Sequence, residues 1–186
     1  MATRLPDNAP ESGTIDVRVR DLRQLFNPID SSPFHERDLE PAAEEFVVTW
    51  ASEVPRNASL RLVIHLDTPP VSEASADGAR TAVTQFFAGR AAATRRNLRD
   101  LFRRGRISLV IALGFMAVAL TVASALDGAA EANPFAAVLR ESLVVGGWVA
   151  MWRPIEVFLY DWWPLVAEAR RFDRLAAMPV EFRHAG

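Results

Sequence analysis

The sequence predicts an α+β membrane protein: a two-helix transmembrane hairpin carrying a small cytoplasmic domain of two or three strands with helices, βαβ-like in order. Three observations predict it. Residues 107–126, ISLVIALGFMAVALTVASAL, run for twenty positions without a charge. At about 1.5 Å per residue such a helix crosses a hydrocarbon layer of about 30 Å. Two short segments, residues 14–20 and 60–67, alternate apolar and polar side chains as half-buried strands do. Finally, arginines crowd the residues just before the first apolar run.

At 186 residues the chain has room for one modest folded domain beside an anchor. It has no Cys, so disulfides and thiolate metal sites are excluded. All 21 basic residues are Arg, which excludes a lysine nucleophile, a Schiff base and a phosphate-loop lysine. All-Arg usage with abundant Ala is the codon signature of a GC-rich bacterial genome, so the expected location is a bacterial inner membrane. The net charge of −2 conceals a partition: residues 1–77 hold 14 acids and 7 Arg, residues 78–106 hold 8 Arg and Asp100, and the remainder holds 6 Arg and 8 acids.

Residues 1–13 are polar, contain Pro and Gly, lack the apolar centre of a signal peptide, and read as a disordered tail. Residues 14–77 form the expected cytoplasmic domain. Ile15, Val17 and Val19 mark one face of its first strand; Leu22, Leu25 and Phe26 then take helical spacing. A Pro-rich loop follows, and a helix capped by Asp38 or Glu40 carries Phe46, Val47, Trp50, Ala51 and Val54 as its stripe until Pro55. In the second strand Leu60, Leu62, Ile64 and Leu66 share a face. After a linker with Pro69-Pro70, a long helix begins near Ser75; its basic juxtamembrane part, residues 78–106, enters the first span, residues 107–126.

Residues 127–133 read as a polar periplasmic turn, with Pro134 opening the second span, residues 134–153. That span is interrupted by Arg140 and Glu141, and its uncharged part, residues 142–152, is short; a hairpin remains the expectation because a seven-residue connection follows a complete crossing. Residues 154–186 comprise an interfacial aromatic segment, a polar helix and a short strand, residues 180–183, that returns to the domain as an edge. Arginines flank both spans on the outer sides while the connection has none, so both termini are expected in the cytoplasm.

Five groups are candidate functional residues. Arg95, Arg96, Arg99, Arg103, Arg104 and Arg106 would meet anionic lipid headgroups. Ser142, Gly146 and Ala150, like Ala117, Thr121 and Ala125, are small residues at four-residue spacing that pack helices within the hairpin or against another subunit. Arg140 and Glu141 either snorkel to the outer surface, contact a partner or line an ion path. Trp152, Tyr160, Trp162 and Trp163 belong at the headgroup level. His35, Glu36, Arg37 and Asp38 form a polar cluster suited to capping or to docking a partner.

No nucleotide-loop, hydrolase-elbow or zinc spacing occurs, and His35, His65 and His184 are dispersed, so no cofactor, metal or catalytic residue is expected. The basic stretch adjoins a span, which favours lipid over nucleic acid. The expected function is non-enzymatic: an assembly, scaffold or accessory subunit acting through homo-oligomerisation or within a larger membrane complex. The alternative is a membrane-bound sensor or regulator whose cytoplasmic domain binds a partner protein or anionic lipid.

Overall fold

The computed structural model describes residues 13–27, 37–55, 58–68 and 73–184. These are mostly helical, with one three-stranded sheet. Strand β1 is Gly13–Val19, β2 is Leu60–Leu66 and β3 is Val180–His184. All pair in parallel in the order β1-β2-β3, with Ile15 opposite Leu62 and Leu62 opposite Val180. The returning strand is thus an edge, as the alternation of residues 180–183 implies. Gly13 opens β1 at a position where a Cβ would overlap the Ser59 carbonyl oxygen.

Helix α1, Pro41–Glu53, is capped by Glu40, whose carboxylate accepts from Ala42 N at 2.8 Å and Ala43 N at 3.2 Å. Pro41 suits its first turn, and Val54 before Pro55 is extended, which ends it. Of the predicted stripe, Val47, Ala51 and Val54 are buried, whereas Phe46 is 38% exposed and Trp50 half-buried. Helix α2 runs Glu73–Ala125, α3 Asp127–Ala132, α4 Pro134–Glu156 and α5 Trp162–Ala176.

The chain divides into two compact units: residues 1–93 with 168–186, and residues 94–167. In the first, Ile15, Val17, Leu62, Ile64 and Val180 face one side of the sheet and join a core with Val47 and Ala51 of α1, Ala79, Val83 and Phe87 of α2, and Phe172 and Leu175 of α5. The core therefore draws on residues beyond 77, in the stretch that composition alone marks as a basic arm. Val63 is buried on the opposite, polar face, where its register partners Asp16 and Glu181 flank it.

The second unit is inserted in the connection from β2 to β3. Two helices that run through it, Ser75–Ala125 and Pro134–Ala176, are long and apolar enough to cross a membrane. Their connection is a short helix, α3, rather than an open turn, and Asn133 ends it while its Oδ1 accepts from Phe135 N at 3.0 Å to start α4. The aromatic stretch after residue 153 does not break away either. Pro154 lacks the N–H that would bond one turn back, and the backbone widens into a π-helical segment, Val157–Asp161, before α5.

Candidate functional site

Arg95, Arg96, Arg99, Arg103, Arg104 and Arg106 are all exposed on α2. Arg99, Arg103 and Arg106 share one helical face with Phe102, by their spacing of three and four residues. With Asp100 and Phe158 these residues line a groove of about 570 Å³. Phe102 and Phe158 stack with ring centroids 6.1 Å apart. Asp100 lies 3.6 Å from the Arg103 guanidinium, so one of the cations is partly compensated.

The groove depends on Gly105. A Cβ on it would come within 2.7 Å of Val157 Cγ1, so only glycine lets the π-helical segment approach α2 here. Val157 is buried and Phe158 is turned against Phe102. Sequence reasoning missed Gly105, Phe102 and Phe158. The sequence carries only an unspecific signal for the glycine: an isolated Gly inside a helix costs about 1 kcal/mol against Ala, and Gly89 and Gly114 of the same helix give that signal with nothing within 4 Å of a Cβ.

In the hairpin, the close contact uses different small residues from those the spacing suggests. Ala112, Ala119, Ala123, Ala136 and Gly147 are buried. A Cβ on Gly147 would meet Met116 Cγ at 3.5 Å and Ala119 Cβ at 3.8 Å, whereas one on Gly146 would reach only Phe115 Cε1 at 4.0 Å. Gly146 and Ala150 are half-buried, and Ser142, Ala117, Thr121 and Ala125 lie exposed. Arg140 forms an ion pair with Asp127 across the α3–α4 connection. Glu141 is exposed.

Among the aromatic candidates, Trp152, Tyr160 and Trp163 are each more than half exposed. Trp162 is half-buried, donates from Nε1 to the Phe158 carbonyl at 3.0 Å and lies against Trp163. Arg153, Glu156 and Asp161, charges that are expensive to bury singly, gather into one ion-pair cluster: Nη1 of Arg153 is 2.8 Å from Glu156 and 3.6 Å from Asp161.

In the sheet unit, His35 and Glu36 lie outside the described residues. Arg37 and Asp38 line a groove of about 240 Å³ with Ala82, Gln85, Phe86, Gly89 and Arg90 of α2. Arg90 donates from Nε to Glu44 at 2.7 Å and stands over the Phe86 and Phe172 rings, 6.0 and 5.6 Å from their centroids. Arg80 donates to the Val180 carbonyl at 3.2 Å. Two arginines of the basic stretch thus serve the fold. On the polar face of the sheet, His65 Nε2 is 2.8 Å from Asp16 Oδ1. Among the described residues no three His, Asp or Glu side chains gather as metal ligands.

Comparison with protein families, characterised proteins and solved structures finds no match to this chain.

Proposed function

We propose that the chain is a non-enzymatic subunit of a bacterial inner membrane, an assembly, scaffold or accessory protein that works through self-association or attachment to a larger complex. One observation carries the reading: the apolar windows of the two long helices are only 17% and 11% buried. The core helix of a water-soluble protein would be mostly covered, so a surface this apolar calls for lipid or another protein as its solvent. The insertion topology agrees. Because β3, beyond the hairpin, pairs with β2, before it, an even number of crossings is required, and the arginines flanking the hairpin favour the cytoplasm for the sheet unit.

Extraction in a mild detergent followed by native mass measurement tests the reading. A particle of several times 20.6 kDa is expected, and Gly146→Leu, at a half-buried position with room beside it, should dissociate it while the hairpin survives. A wild-type monomer carrying no co-purifying chain would contradict the proposal. The second reading, a sensor or regulator, draws on the groove beside Arg37 and Asp38. For it, alanine at both positions should abolish partner capture and leave membrane insertion intact.

A further inference from the structure

We propose that the groove formed by Arg99, Phe102, Arg103, Arg106 and Phe158 holds the phosphate of an anionic phospholipid headgroup. The inference rests on the hairpin being lodged in a bilayer, and it adds a defined lipid site to it. Three guanidiniums around one groove supply several N–H donors for phosphate oxygens, and Asp100 offsets only one of the three charges. The stacked Phe102 and Phe158 rings give the groove an apolar wall, suited to the glycerol and upper acyl carbons of a lipid.

Position supplies the rest. Arg106 directly precedes the apolar run, so the groove opens where that run begins. Continuing along the same helix face by steps of three and four residues, Val110 and Leu113 are 70% and 49% exposed. An acyl chain leaving the groove would find an apolar track. A free phosphate or a phosphorylated metabolite would satisfy the arginines and leave that track unused, which makes the lipid the better occupant.

The test compares two triple variants of the full chain that remove equal charge from one helix. Arg99→Gln, Arg103→Gln and Arg106→Gln together empty the groove; Arg95→Gln, Arg96→Gln and Arg104→Gln together spare its lining. Flotation with phosphatidylcholine vesicles reads membrane insertion alone. It is expected to be unchanged in both, and a wild-type chain that fails to float would overturn the bilayer reading and this one with it. Retention of phosphatidylglycerol is then read by native mass spectrometry in detergent. The groove variant should bind about a hundredfold more weakly, and the control variant should lose less than about fivefold. Asp100→Asn should strengthen retention.

Equal losses in the two triples would reduce the effect to bulk charge and overturn the proposal. So would a preference for phosphatidylcholine, or weaker retention in Asp100→Asn. Competition by inorganic phosphate or glycerol 3-phosphate as effective as that by the lipid would assign the groove to a soluble anion instead.

Discussion

The Arg140–Asp127 pair shows how a single charge is reconciled with an apolar helix. Arg140 is about 9 Å along α4 from Pro134 by helical rise, within reach of the connection, and Asp127 at the start of α3 receives it. Both side chains are about half exposed, so the pair should contribute no more than about 1 kcal/mol. A double-mutant cycle with Asp127→Asn and Arg140→Gln, read by thermal unfolding in detergent, should give a coupling of that size; additivity would show the pair to be inert. A larger single-residue effect is expected in the sheet unit. Phe87 is fully buried and stacks on Phe172 at 6.4 Å, so Phe87→Ala should cost about 3–5 kcal/mol in denaturant unfolding. A loss below about 1 kcal/mol would mean that this part of α2 is not core.

At the scale of elements, the strands and the first apolar helix were legible because each follows one period. The alternation of Ile15, Val17 and Val19, and of Leu60, Leu62, Ile64 and Leu66, reads directly as a sheet face, and residues 107–126 have no charge to obscure the helix. Register between helices was not legible, since spacing of small residues names several faces and only packing selects one. Ala117, Thr121 and Ala125 satisfy the same rule as the buried Ala119 and Ala123 and lie exposed. The groove was hidden for a related reason: Phe158, which meets Phe102, lies in the π-helical segment at residues 157–161, a departure from the 3.6-residue period that the sequence pattern does not encode. Two substitutions separate these contacts. Gly147→Leu should destabilise the hairpin by about 1–3 kcal/mol through overpacking against Met116 and Ala119, whereas Gly146→Leu should leave its unfolding nearly unchanged. Gly105→Val should likewise force the π-helical segment away from α2 and separate the Phe102 and Phe158 rings, a change visible in aromatic NMR contacts.

For the whole molecule, the organising feature is an apolar hairpin inserted into the crossover between two adjacent parallel strands. Residues 13–93 and 168–184 share one core, so the chain must return to the side from which it left. Under the proposed bilayer reading, an insertion of two crossings would satisfy that requirement, and the connection at residues 127–133 would be the part reaching the far side. The absence of native cysteine makes the claim directly measurable. Single cysteines are introduced at Ala130 in α3 and at Glu53 in α1, and intact cells are treated with a membrane-impermeant maleimide. Ala130→Cys should label in intact cells and Glu53→Cys only after the membrane is opened; labelling of Glu53→Cys from outside, or a chain recovered in the soluble fraction without detergent, would contradict it.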